Sequence, residues 1–361
     1  MRGISPDLWT IHPHPLNGEI LSSWMVRLAH AYGYKVQTFY NLVFGRRIEI
    51  WNRDIDRSAS IELLEALARH TGTPFEVVKA TTLAAYEGSV FDYHDPNRYT
   101  HWVLPAGIYH RKRRRFSMQY CSVCLAIGEI PYFRRFWRLG FITRCPEHGN
   151  LLKDCCSTCG APVVFHRAEL GRRWETAPVS IRLCWKCRAD LAHETVEVRE
   201  PIDWKTSVAR KNLWLFAELG WGFAEKRTLQ YARLYFEPLW MICHALLGKP
   251  GRWNASTRPI AALPFPEFEN YLPRLGRRAH MLDYRIADRD AVIELALWVL
   301  EDFPSRLMAF AKPMRICFSH FANGREEKDI SGWLELSAEK WRIATAISRK
   351  RVQEVPSASS S

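Results

Sequence analysis

The sequence predicts a mainly α-helical chain with a cysteine-rich middle, and three observations predict it. Apolar residues recur at three- and four-residue steps through the first and last thirds, a helix-turn pattern occurs twice in the first hundred residues, and cysteines cluster in pairs between 121 and 187.

The first helix is read from "NGEILSSWMVRLAHAYG", where Ile20, Trp24, Leu28 and Ala31 share a face and Asn17 is available as a cap. Gly33 ends it, and "KVQTFYNLVFG" starts a second helix almost at once. Ala29, Gly33 and Phe39 hold the places where a helix-turn-helix needs a small residue, a turn glycine and an apolar packing residue. Thirty-nine residues on, "LLEALARHTGTPFEVVKATTL" repeats the arrangement with Ala68, Gly72 and Val78, and Leu67 falls on Leu28. These units make an N-terminal helix-turn-helix domain over 13–85. From Tyr86 the periodicity is lost and Pro, His, Asp and Asn collect before "HRKRRR", which reads as a basic linker over 86–115. The cysteine-rich module takes 116–200. Helical, apolar stretches from Ala209 and from Arg289, separated by "RPIAALPFPEFENYLPRL", give a C-terminal helical domain over 201–351. The end of the sequence, 352–361, is expected to be disordered.

With 47% hydrophobic and 25% charged residues over 361 positions, the chain has the profile of a soluble protein of two or three domains. No run approaches the roughly 18 apolar residues of a membrane span, and "MRGISPDLWTIHPHP" has no apolar signal region, so a reducing cytoplasm is expected and no membrane partner. Ten cysteines in such a compartment point to metal ligation rather than disulfides. Fifty-one Lys and Arg against 38 Asp and Glu leave +13, which favours an anionic partner, nucleic acid above all.

Cys121 and Cys124 form a first two-gap pair, and Cys145 with His148 a second, twenty residues later. Cys156 and Cys159 form a third, followed after twenty-four residues by Cys184 and Cys187. A two-residue gap lets both side chains reach one ion from a tight turn, and two such turns complete a tetrahedron. Four pairs therefore predict two Zn2+ ions in a double zinc-ribbon-like module. Both sequential and interleaved pairing satisfy the count; sequential pairing is preferred because the gaps within each site are hairpin-sized. Cys156 gives the tighter gap than Cys155, which stays a live substitute. Each ion already has four protein ligands and no open position for water, so the sites are expected to be structural and the chain not an enzyme. The elements of zinc deaminases are missing from the sequence. Cys243 and Cys317, alone in apolar helical context, read as buried inert thiols.

Between Arg111 and Arg144 there are nine Lys or Arg and a single acid, Glu129, interleaved with Phe116, Tyr120, Tyr132, Phe133, Phe136 and Trp137. Cations beside aromatics on a rigid module suit phosphate contact with stacking nearby, which makes Arg111, Lys112, Arg113, Arg114, Arg115, Arg134, Arg135 and Arg138 candidate nucleic-acid or partner contacts. In the first helix pair Lys35, Gln37 and Asn41 are read as the polar side of the second helix, opposite Phe39 and Leu42, where a recognition helix presents its reading face.

Two stretches resemble a known family. "HPLNGEILSSWMVRLAHAYG" is similar to the start of the TniQ/TnsD transposon target-selection proteins through Pro15, Glu19, Leu21, Ser23, Trp24, Arg27, Leu28 and Ala29. "YFRRFWRLGFITRCPEHGNLLKDCCSTCGAPV" resembles that family's central signature through Trp137, the Cys145-Pro-x-His148-Gly core, Leu151, Leu152 and the cysteine pair that follows. The likeness spans about residues 13 to 200; the double cysteine at 155 and 156 departs from the usual single one, and the last third offers no match. The resemblance implies a bacterial, non-catalytic adaptor that recognises an insertion target and recruits the transposon's AAA+ ATPase, which in turn directs the transposase. It implies a target read either as DNA directly or through an RNA-guided CRISPR complex, and it allows a homodimer. A zinc-containing helix-turn-helix transcriptional regulator, built from the same parts, is the alternative. A zinc-supported nuclease would need a further acidic or histidine cluster, and no such spaced set stands out.

Overall fold

Ile20, Trp24 and Leu28 carry the first helix, α1 (Leu21–Ala31), into the interior, where each is fully buried. We describe a computed structural model over residues 7–45, 50–96, 100–106, 108–109, 112–113, 115–171, 177–223, 229–247, 264–265, 281–302 and 305–311. Helix α1 starts at Leu21 with Ile20 as its cap residue and no side-chain cap, so Asn17 does not serve as one, and Ala31 faces solvent. Gly33, at φ +70°, makes the turn into α2 (Val36–Phe44), with its N–H on the His30 carbonyl at 2.9 Å. After a short α3 (Ile55–Ser58), the second hairpin repeats this design: α4 (Ile61–Thr71), capped by the Ser60 hydroxyl, ends at the left-handed Gly72 and leads into α5 (Phe75–Ala80). Leu28 and Leu67, paired by the repeat, are both fully buried, and so is Val78. Trp9 ties the hairpins together, edge-on to Phe39 at 5.3 Å and stacked on His70 at 4.9 Å.

The chain divides into two units, residues 1–200 with 282–290, and residues 201–281 with 291–361. The helical domain expected over 13–85 and the cysteine-rich module over 116–200 thus belong to one unit. Nor is 86–115 merely a linker: Trp102, Val103 and Leu104 are buried, Val103 bridges to Leu139, and the Leu104 N–H donates to the Arg138 carbonyl at 2.9 Å. Loss of periodicity there marked irregular backbone, not solvent exposure. Gly140 lets this layer close, since a Cβ there would collide with Leu282 and lie 3.4 Å from the Trp102 carbonyl oxygen. A two-residue hairpin, β1 (Ile108–Tyr109) on β2 (Lys112–Arg113), precedes the ligand region, which opens with α6 (Ser122–Ile127).

Segment 282–290 is bonded into the first unit through buried charge. Asp290 accepts from Thr143 Oγ1 at 2.7 Å and pairs with Arg144 at 3.0 Å; Arg289 donates to Gln119 Oε1 at 2.6 Å; Arg285 pairs with Asp154 at 2.8 Å. The second unit is helical as expected: Trp204–Leu219, capped by Asp203, Ala232–Leu246, most of Ile286–Glu301, and Ser305–Ala311, with one small hairpin of Trp221–Phe223 on Leu229–Tyr231. Cys243 is fully buried there and burial pushes its thiol up, whereas Cys317 and 352–361 lie outside the described residues. No helix among the described residues is long and apolar enough to cross a membrane.

Candidate metal centres

Three of the four ligand pairs are carried on the same turn. In each, the first ligand's N–H donates to the carbonyl five residues on: Cys145 to Asn150 at 2.8 Å, Cys156 to Ala161 at 3.0 Å, Cys184 to Ala189 at 2.9 Å. The first ligand's carbonyl then takes the N–H four residues on, from Gly149, Gly160 and Arg188. A bridge closes each knuckle in one register, Arg144 with Leu151, Cys155 with Pro162, Leu183 with Asp190. The residue after the second ligand stands at positive φ in all three, +71° at Gly149, +66° at Gly160 and +71° at Arg188. The fourth pair is built differently. Cys121 is the N-cap of α6 and accepts from the Cys124 N–H at 3.5 Å, so a helix start brings those two sulfurs together.

The structure gathers Cys121, Cys124, Cys145 and His148 in one group and Cys156, Cys159, Cys184 and Cys187 in another, with the ligand atoms of each within 4.8 Å of one another. This is the sequential arrangement. A tetrahedral ion with zinc's bond lengths needs sulfur atoms about 3.8 Å apart and sulfur to nitrogen about 3.6 Å. Cys124 and Cys145 sulfurs are 3.6 Å apart, Cys156 and Cys187 3.6 Å, and Cys159 and Cys184 3.7 Å. His148 Nδ1 lies 3.3 to 3.6 Å from the three sulfurs of its site. These edges are far longer than a disulfide and fit a closed four-coordinate ion in both places. Such an ion would cross-link segments distant in sequence, holding α6 to one knuckle in the first centre and two knuckles to each other in the second. The first centre is the more enclosed, its three cysteines buried, whereas Cys187 of the second is exposed.

Cys155 stands apart from both groups. Successive residues on extended backbone point opposite ways, and Cys155 Sγ accepts from the Arg285 guanidinium at 2.7 Å while its neighbour Cys156 joins the cluster. Arg285 lies over the Phe116 ring and also holds Asp154, so Cys155 belongs to that ion pair. Burial, the first cause, with Asp154 and Glu194 adding to it, raises the Cys155 thiol against the pull of Arg285. Glu194 props the second knuckle, accepting from the Ser157 N–H at 2.9 Å and its hydroxyl at 2.7 Å, with the Tyr120 hydroxyl at 2.6 Å.

Among the arginines expected to meet nucleic acid, Arg138 is used inside the fold. Arg138 is 2% exposed and grips Asp54 at 2.6 Å and Asp56 at 3.1 Å. Arg134 pairs with Glu147 at 3.0 Å, and Arg135 lies over the Tyr86 ring with a hydrogen bond to the Ala80 carbonyl. Arg138 is corrected from a surface contact to a packing residue, because Asp54 and Asp56 fold against it, whereas Arg134 and Arg135 are half-buried. Arg115 pairs with Asp283 at 2.8 Å but keeps nearly half its side chain exposed. Lys112 and Arg113 form β2, and Arg111 and Arg114 lie outside the described residues. On the first hairpin, Lys35 precedes α2, Gln37 is half-buried and Asn41 is exposed. Phe39 is buried as expected, but Leu42 is 68% exposed and stands on the solvent side, not opposite Asn41.

The two signature stretches meet. Glu19, buried, accepts from the Leu16 N–H, the Ser23 hydroxyl and both Arg27 nitrogens, at 2.6 to 2.9 Å. Ser23 Oγ in turn receives the Phe133 N–H at 3.0 Å, the Ile20 N–H donates to the Phe133 carbonyl, and the Arg135 N–H donates to the Gly18 carbonyl. The polar residues shared by the start of the chain are therefore the lock that seats its central stretch. Residues 10–152 match the TniQ family model. That segment is similar to a TniQ domain. It runs from beside Trp9 through the first metal centre, and the second centre lies beyond it. No curated protein matches the sequence significantly. A TniQ domain gives the chain a general role in choosing the target of DNA transposition. The turn residue of each knuckle was missed at the sequence level, although glycine directly after the second ligand was a visible signal at two of them.

Proposed function

We propose that this protein is a non-catalytic adaptor that links a transposition target to the transposon's AAA+ ATPase and, through it, to the transposase. The target is DNA itself or an RNA-guided CRISPR complex. Zinc is the proposed ion at both centres, in a structural role. What carries the reading is the way both signature stretches are consumed in building one compact unit, with Glu19, Ser23 and Arg27 seating the segment that leads into the first centre. Two closed sets of four protein donors leave no ligand position for a reacting water, which supports recognition rather than hydrolysis. The exposed side of the first hairpin, with Thr38, Asn41 and Leu42, is a mixed polar and apolar surface suited to a macromolecular partner. A pull-down with the transposon's ATPase, with and without DNA, tests the reading. Retention of the ATPase supports it; no retention under either condition, with metal-loaded protein, counts against it.

A further inference from the structure

The helix Trp204–Leu219 is apolar on two opposite sides. Its inward side carries Thr206, Leu213, Phe216 and Ala217, all buried; Phe216 packs on Tyr235 at 5.1 Å, and nearby Arg210 grips Glu294. The outward side carries Trp204, Val208, Lys211, Leu215 and Leu219, at steps of four, three, four and four residues. All five are exposed, Trp204 by 72% and Leu219 by 55%. At roughly 100° per residue they fall within about 80° of arc and run about 22 Å along the axis. A surface helix ordinarily turns a polar side outward, and here four large apolar side chains stand there instead. Both ends of the helix are fixed. Asp203 accepts from the Thr206 N–H at 2.7 Å, and Gly220, left-handed at φ +74°, donates its N–H to the Phe216 carbonyl at 3.0 Å. The stripe is therefore a preformed surface.

We infer that this stripe is the docking face for one helix of a protein partner, an amphipathic helix that sets a carboxylate opposite Lys211. The inference rests on the reading of the chain as an adaptor and gives this face to a helix of the recruited ATPase. Lys211 decides the occupant. It is exposed, it stands near the middle of the stripe, and among the described residues no acid pairs with it. A wholly apolar cover would leave its ammonium desolvated and unpaired. A second copy of this chain laid on the same stripe, parallel or antiparallel, would set Lys211 against its own counterpart, because it lies almost midway between Trp204 and Leu219. A lipid surface would call for cations along both borders of the stripe, whereas Lys205 is the only one there, among Ser207, Asn212 and Glu218. An acid on a partner helix satisfies the charge, and apolar residues three and four positions from it fill the ground between the four anchors. Trp204, with the Lys205 ammonium 6.0 Å from its ring, is the largest of these.

The test uses the full, metal-loaded chain, the transposon's ATPase, and the variants Trp204→Gln/Val208→Gln/Leu219→Gln, Lys211→Glu and Lys211→Arg. The substituted side chains face solvent, so thermal midpoint and metal content should stay those of the wild type. Affinity for the ATPase, read by titration of labelled protein, should fall at least about tenfold in the triple variant and about tenfold in Lys211→Glu, and Lys211→Arg should keep it. Carbodiimide coupling joins an ammonium to a carboxylate in contact with it. Peptide mass spectrometry should then find Lys211 linked to an Asp or Glu of the ATPase that has apolar residues three or four positions away. Unchanged affinity in either the triple variant or Lys211→Glu overturns the inference and leaves the adaptor reading intact. So does a wild-type dimer, seen by light scattering, that the triple variant disperses, and so does binding to anionic phospholipid vesicles that the triple variant loses. Wild-type protein that holds no ATPase overturns the inference and the adaptor reading together.

Discussion

Asp56 shows how a single buried residue makes the fold respond to pH. It accepts from the Ser22 N–H at 2.8 Å and hydroxyl at 2.9 Å and pairs with Arg138. Burial pushes its carboxyl up to about 6 from 3.8, Arg138 pulls against this, and Asp54 adds to it. The folded value lies above the unfolded one, so folding favours the protonated form: this contribution is full below about pH 4 and fades as pH rises through about 6. Asp56→Asn does not ionise and lacks the dependence. Denaturant unfolding of both proteins should therefore show the wild type losing stability relative to the variant as pH rises across that window. Parallel pH profiles would contradict the assignment. The knuckle turns give a second residue-scale expectation. Gly160→Ala should destabilise by about 1 kcal/mol and Arg188→Gly should stabilise by about 0.5 to 1 kcal/mol, read as opposite shifts in thermal midpoint. At the metal centres, Cys156→Ser should lose close to one ion per chain and Cys155→Ser none, by metal analysis of purified protein. Equal loss from both would mean that the two thiols exchange roles despite the Arg285 contact.

Among elements, the helical hairpins separate what a sequence shows from what it hides. Gly33 and Gly72 announced their turns, and the repeat placed Leu28 and Leu67 at equivalent buried positions, because helical periodicity and left-handed turns are local properties. The eight ligands were legible for the same reason, each pair being fixed by a two-residue gap. The arginines were not: Arg138 finds Asp54 and Asp56 more than eighty residues earlier, and no local count of charge reveals that pairing. The aperiodic 86–106 likewise hid a buried layer whose hydrogen bonds go to the chain around Leu139. Leu42 does not share the inward side with Phe39, because the aromatic cluster of Trp9, Tyr32, Phe39 and Tyr40 sets which side of α2 is inward. Phe39→Ala should cost about 3 to 5 kcal/mol by emptying that cluster. Leu42→Gln should fall within about 0.5 kcal/mol of wild type. A large loss from Leu42→Gln in urea unfolding would return the residue to the core.

For the molecule as a whole, the first unit joins the TniQ-like segment, both metal centres and segment 282–290. Ions held at the two centres would cross-link backbone that has few regular elements of its own, and each is expected to contribute on the order of 10 kcal/mol to folding. Chelation should collapse this unit, with two equivalents of zinc released in denaturant against a chromophoric chelator. The rigidity so obtained is what a target-selecting protein requires, since a partner reads surfaces held in fixed relation. The central claim, that the chain chooses where insertion occurs, is tested most directly by mapping insertion sites with transposase and ATPase supplied and this protein present, absent, or carrying Cys145→Ser. The account predicts that loss of the protein or of its first centre abolishes or redistributes insertion, while donor-end cutting by the transposase persists in an assay that bypasses target choice. An unchanged distribution of insertion sites without the protein would contradict it.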